Sequence, residues 1–146
     1  MNKDATLALQ MDRLMRRFHS DMHPRAQKVD AAKVGPIGGM ILFVISEQSP
    51  ITAGEIGALL GRDKSQISRI VSLLIRKGLI EKTAQDGDAR RAPLRLSDTG
   101  ALQVAAFHGA LVETSKSVLG PLSRDERARF SELLAKILGA QGKTDS

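Results

Sequence analysis

Between Asp63 and Lys77 the chain reads Asp-Lys-Ser-Gln-Ile-Ser-Arg-Ile-Val-Ser-Leu-Leu-Ile-Arg-Lys. At helical spacing this segregates Lys64, Ser65, Gln66, Ser68, Arg69, Ser72 and Arg76 from its aliphatic residues. Hydroxyls, an amide and cations are the groups that hold phosphate oxygens and read base edges, arginine on guanine, glutamine on adenine and serine on either. No carboxylate follows Asp63. A solvated surface helix usually mixes both signs of charge, with acids placed to pair with bases one turn on. Taken alone, this stretch fits a nucleic-acid-reading helix or a plain basic surface helix, and its neighbours must decide.

The elements that would position these groups are legible on both sides. Asp63 is a good N-cap, and Gln66, three residues on, is placed to close a capping box. Ile67, Ile70, Val71, Leu74 and Ile75 form one buried face. Upstream, Thr52 and Glu55 make a second capping box, with Ile51 and Ile56 as its hydrophobic staple, and Leu59 and Leu60 complete an apolar face. Gly61-Arg62 joins the two short helices in a tight turn, the pattern of a helix-turn-helix. Gly78 ends the second helix. Leu79–Lys82 and Pro93–Leu96 read as strands of a hairpin whose tip, Gln85 to Arg91, carries the turn signal Asp86-Gly87. A hairpin there is a wing. Arg90 and Arg91 suit the narrow, electronegative minor groove, with Asp88 orienting a wing arginine by an ion pair; a solvated basic loop is the competing reading.

The 146 residues form one domain's worth of chain with a net charge of +6 and a pI near 10.1. From Gly61 to Arg95 nine cations stand against four anions, a balance of +5, so nearly all the excess sits in one segment. That is the footprint of a site for a polyanion. Four Phe and no Trp or Tyr provide little to stack unpaired bases on, which favours duplex DNA over single strands. No cysteine occurs, which removes disulfides and thiolate metal sites. With no signal-like start and no apolar run of membrane length, a soluble, cytoplasmic protein is expected.

Around this core, Leu7, Met11, Leu14, Phe18 and Met22 make an amphipathic first helix from about Ala5 to Met22, stopped by His23-Pro24. Residues 25–33 read as a basic connection. Pro36 opens a second helix over Ile37–Ile45, apolar nearly all round and hence buried, with a buried strand as its rival. Ser97 caps a long helix from Asp98 to about Leu119 with two apolar stripes, one through Val104, Phe107, Leu111 and Val118, the other through Leu102, Ala105, Ala106, Gly109 and Val112. Two faces need two partners. After Gly120-Pro121, Ser123 and Glu126 box a last helix whose apolar face is Phe130, Leu133, Leu134, Ile137 and Leu138; beyond Gly139 the tail is expected to fray.

Thr52-Ala-Gly-Glu-Ile-Gly-Ala-Leu-Leu, Ser65-Gln-Ile-Ser-Arg-Ile-Val-Ser-Leu-Leu-Ile-Arg-Lys-Gly-Leu-Ile and Asp88-Ala-Arg-Arg-Ala-Pro-Leu-Arg-Leu-Ser-Asp-Thr-Gly resemble the MarR family of bacterial winged-helix transcription regulators. The last carries its most specific element, an Asp-x-Arg wing followed by Leu-Ser-x-x-Gly, and the likeness runs from about Ile51 to Gly100. The resemblance implies a mainly α fold with a small β-hairpin wing, and a homodimer built through the first, fifth and sixth helices. It also implies small aromatic or amphipathic ligands bound between that interface and the DNA-binding lobe. The corresponding division is 1–34 and 100–146 for dimerisation and 35–99 for the winged helix-turn-helix.

Other chemistry is thinly represented. His19 and His23 lie one turn apart and could chelate a metal with His108, against the alternative of surface histidines; no metal or other cofactor is expected. No nucleophile triad, phosphate loop or dinucleotide motif occurs, so an enzyme is not expected. Phe18, Met22, Met40, Phe43 and Phe107 could line a ligand pocket where the first, second and fifth helices meet, or be plain core. The functional expectation is a homodimeric, sequence-specific regulator, a repressor in preference to an activator, on a pseudo-palindromic duplex. In it Ser65, Gln66 and Arg69 lie nearest the bases while Lys64, Ser68 and Ser72 hold phosphates. The alternatives are a sequence-tolerant, architectural winged-helix protein and an interaction module without DNA binding.

Overall fold

A computed structural model describes residues 2–83 and 92–142, the side chains of the final residues 140–142 excepted. Along the chain run α1 (Lys3–Val29), α2 (Gly35–Gln48), α3 (Ala53–Leu60), α4 (Lys64–Arg76), β1 (Ile80–Lys82), β2 (Leu94–Leu96), α5 (Asp98–Val118) and α6 (Arg124–Gly142). The mainly helical, winged architecture expected from the sequence is present.

The core sits where α2, α3, α4 and the hairpin meet. Ile41, Leu42 and Ile45 of α2, Ile56 of α3, and Ile67 and Leu74 of α4 are wholly buried, with Leu79, Ile80 and Leu94 almost so. The all-round apolar α2 is therefore a helix and is central, as its composition demands. Phe107 of α5 closes the core, lying against α2 where Gly39 has no side chain. β1 and β2 pair antiparallel, Ile80 opposite Leu96 and Lys82 opposite Leu94. Ile51 adds a bridge that periodicity does not signal: its N–H donates to the Leu94 carbonyl (3.3 Å) and Leu94 N–H returns to its carbonyl (2.7 Å), pinning the wing to the start of α3.

α1 departs from expectation. It does not stop at His23-Pro24 but runs through Pro24 to Val29. Proline inside a helix costs about 3 kcal/mol, because it removes one N–H and crowds the preceding turn. Tertiary contacts beyond it offset the cost. Arg25 Nη1 donates to the Asp21 carbonyl (2.9 Å) and to Thr114 Oγ1 (3.5 Å), Gln103 Nε2 donates to the Val29 carbonyl (2.8 Å), and Ala26 and Val29 pack on the core. Ser20, whose carbonyl loses its partner, is exposed, where water can serve it. Two smaller corrections follow. α6 continues past Gly139 to Gly142, and the second helix extends to Gln48.

α5 turns a mixed face to the rest of the chain. Gly100, Gln103, Phe107, Ala110, Thr114 and Val118 are buried, whereas Leu102, Ala105, Gly109 and Val112 are exposed. Thr114 Oγ1 donates to the Ala110 carbonyl (2.9 Å), lies 3.4 Å from Met22 Sδ and accepts from Arg25 Nη1 (3.5 Å), so polar groups help set the seating of α1 on α5. α1 buries no residue fully; Leu7, Met11 and Met15 are more than half exposed, as are Ile137 and Leu138 of α6.

Candidate nucleic-acid interface

α4 is aimed by its own amphipathicity. Ile67, Val71 and Leu74 face the core, and Ile70 and Ile75 flank them, half-buried. The helical repeat then places Ser65, Arg69, Ser72 and Arg76 along the middle of the outward face, with Lys64 and Gln66 on its two margins. Lys64, Ser65, Ser68, Arg69, Ser72 and Arg76 are exposed and Gln66 is half-buried. The structure thus brings six of the sequence-derived positions together on one surface. Arg76, which the sequence places on the same face without assigning it a contact, lies on the same row.

The cap is half of what was expected. Asp63 accepts from the Gln66 N–H at 3.3 Å, but the Gln66 side chain does not return to the Asp63 N–H. The carboxylate alone satisfies the first turn, which leaves the Gln66 amide free of the cap. α3, by contrast, has a complete box: Thr52 Oγ1 accepts from Glu55 N–H (3.2 Å) and Glu55 Oε1 accepts from Thr52 N–H (3.3 Å). Gly61 makes the connecting turn in the left-handed conformation at φ +60, which costs glycine little.

The cations of this region are not equivalent. Among the described residues, none of Arg62, Lys64, Arg69 and Arg76 is in an ion pair, so their charge is open to a polyanion. Arg95 pairs across the hairpin with Glu81, Nε to Oε2 at 3.3 Å. Lys77 is also engaged, its Nζ donating to the Ala32 carbonyl at 2.6 Å. The expected minor-groove contacts Asp88, Arg90 and Arg91, and the Asp86-Gly87 turn, lie outside the described residues.

Behind α4 the Leu-Ser-x-x-Gly element has a physical account. Ser97 N–H donates to the Leu79 carbonyl (3.0 Å), Ser97 Oγ donates to the Gly78 carbonyl, and Ser97 Oγ accepts from Gly100 N–H (3.0 Å). Gly100 lies so near Leu79 that a β-carbon there would overlap the Leu79 carbonyl oxygen. One serine and one glycine therefore lash the end of α4 to the start of α5.

The residues considered for ligands and metals are dispersed in role. Phe107 is core, while Phe18, Met22, Met40 and Phe43 are half-buried. A cavity of about 370 Å³ lies elsewhere, between α5 and the start of α6, lined by residues that include His108, Leu111, Lys116 and Arg127. His19 and His23 are exposed on α1, and among the described residues no three His, Asp or Glu side chains converge. No described helix is long and apolar enough to cross a membrane.

The chain matches a model of the MarR family over residues 37–91. It is 29% identical over 119 residues, 80% of each chain, to the HTH-type transcriptional regulator BilQ of Clostridium symbiosum. Its fold is that of a mutant MarR from E. coli solved with operator DNA, with a TM-score of 0.71 over 94% of this chain and 96% of that one at 21% identity. It is also that of a Staphylococcus aureus MarR solved with salicylate and kanamycin, at 0.78 over 96% and 93% with 18% identity. Residues 37–91 are thus similar to the MarR family, and the chain has the winged helix-turn-helix fold of those solved structures.

Proposed function

We propose that the chain regulates transcription, as a repressor, by binding a pseudo-palindromic duplex as a homodimer through two copies of α4 and the wing. The observation that carries this is the outward face of α4: Ser65, Arg69, Ser72 and Arg76 in one exposed row, free of carboxylates, on a helix whose opposite face is fixed in the core. Arg69 and Gln66 read base edges, Ser65 assists them, and Lys64, Ser68 and Ser72 hold phosphates; Asp88, Arg90 and Arg91 serve the minor groove. The partner copy is supplied by residues 1–34 and 100–146, whose helices α1 and α6 leave apolar rows exposed in the single chain. A DNA partner implies a cytoplasmic site of action, and a regulator needs no enzymatic activity. A small aromatic or amphipathic effector near Phe18, Met22, Met40, Phe43 and Phe107 completes the reading. The salicylate in the S. aureus MarR structure supports that class, acting by shifting a pre-existing balance between two spacings of the reading helices.

The test is selection of a preferred duplex from a random pool at physiological salt, followed by titration of Arg69→Ala. The expected loss is about 1–3 kcal/mol with relaxed preference at one base pair of each half-site. An Arg69→Ala protein that keeps both affinity and preference refutes the assignment. A wild-type protein that enriches no sequence yet binds every duplex with a steep salt dependence is the sequence-tolerant, architectural alternative.

A further inference from the structure

We propose that Gln103, Ala32 and Lys77 form a positioning joint that sets the recognition helix against α1 and α5, so that Lys77 governs DNA binding without touching DNA. The proposal rests on the DNA-binding reading above. Both ends of the Ala32 residue are claimed: its N–H donates to Gln103 Oε1 (3.3 Å) and its carbonyl accepts from Lys77 Nζ (2.6 Å). Gln103 is buried and uses the other end of its amide on the Val29 carbonyl (2.8 Å). A single residue, through its two flanking peptide groups, thus links α5 to the C-cap of α4.

The segment holding Ala32 has little slack. The Asp30 carboxylate accepts from the N–H groups of Val34 (2.9 Å) and Gly35 (3.0 Å), and Lys33 N–H donates to the Asp30 carbonyl (3.2 Å). Lys33 holds φ +54, a left-handed conformation costing about 1–2 kcal/mol for a residue with a β-carbon. Such strain persists only where the surroundings over-determine it. Residues 30–35 are therefore a stiff block, gripped by α5 on one side and by Lys77 on the other. A shift in the packing of α1 on α5 is felt at the end of α4.

A lysine beside a DNA-reading face could instead hold a phosphate, and the two roles differ in salt dependence. Lys77→Met, Lys77→Gln, Gln103→Met and the Lys77→Met/Gln103→Met double variant are titrated against the duplex selected by the wild-type protein, over a salt series. Thermal melts and sedimentation check folding and assembly. Each single change is expected to weaken binding about tenfold, the double change no more than the worse single, with the slope of log K against log salt unchanged. The proposal is overturned by a slope that falls by about 0.9, the signature of one lost phosphate contact, by losses that multiply in the double variant, or by singles that bind like wild type. Should Gln103→Met fail to fold, the two exposed Lys77 variants decide by affinity and slope. A wild-type protein that selects no duplex sinks the DNA-binding reading instead, a distinct failure.

Discussion

Gly100→Ala isolates the lashing between the reading helix and α5. Alanine in place of glycine within a helix ordinarily gains up to about 1 kcal/mol. Here the added β-carbon would overlap the Leu79 carbonyl oxygen and stand 2.9 Å from the Leu79 carbonyl carbon, an obstacle of backbone that no rotamer change relieves. Forcing an extra methyl into a packed site costs about 1–3 kcal/mol, and displacing Leu79 puts the Ser97 N–H bond, worth about 1 kcal/mol, at risk. The helix gain cancels only part of this, leaving a net loss of about 1–3 kcal/mol. Urea denaturation at one fixed protein concentration, as an assembling protein requires, measures it. Gly54→Ala is the control, since the nearest atom to its β-carbon is Thr52 Oγ1 at 4.0 Å, and it should be neutral or gain up to about 1 kcal/mol. A Gly100→Ala protein as stable as wild type, alongside a well-behaved control, would refute the account of this contact.

Three further outcomes are expected. Lys64→Ala should weaken every duplex alike and lower the salt slope by about 0.9, read from titrations at several salt concentrations; loss of preference instead would move Lys64 to the bases. Ile137→Glu, placing a charge in the exposed apolar row of α6, should convert a dimer to a monomer by sedimentation, and an unchanged assembly would show that α6 is not part of the interface. Glu126 is held below its ordinary value of 4.5, first by the Ser123 backbone N–H and then by its hydroxyl. The charged box therefore supports α6 above that value and is lost as the pH falls through the lowered one, so a fall in helicity across this acid range should disappear in Glu126→Gln, as followed by circular dichroism.

What the sequence made legible was local. The caps at Thr52, Asp63, Ser97 and Ser123 all accept as their residue types suggest, and the period of Ile67, Val71 and Leu74 turns the polar face of α4 outward. What it hid was tertiary. Pro24 lies within α1 because Gln103 and Thr114, distant in the chain, hold the turns around it. Apolar periodicity marked Phe107 and Val118, which are buried, but not the buried polar Gln103 and Thr114 through which α5 seats α1, because no hydropathy pattern marks them. Ile51 meets Leu94 through a single bridge, too short to leave a strand signature. In the sequence Lys77 is only one cation of the basic segment, and its geometry shows it engaged with the Ala32 carbonyl.

α5 is one unbroken rod of 21 residues, about 31 Å at 1.5 Å per residue. One end is planted against Leu79 behind the wing, while the far end borders the cavity beside α6. A body of that length works as a lever arm: a tilt of about 5° at the far end sweeps the near end through roughly 3 Å, near the rise of one base pair along B-DNA. In the proposed dimer, small molecules or substitutions that nudge the distal end would need no route through α4 itself to throw the two heads out of step with a duplex.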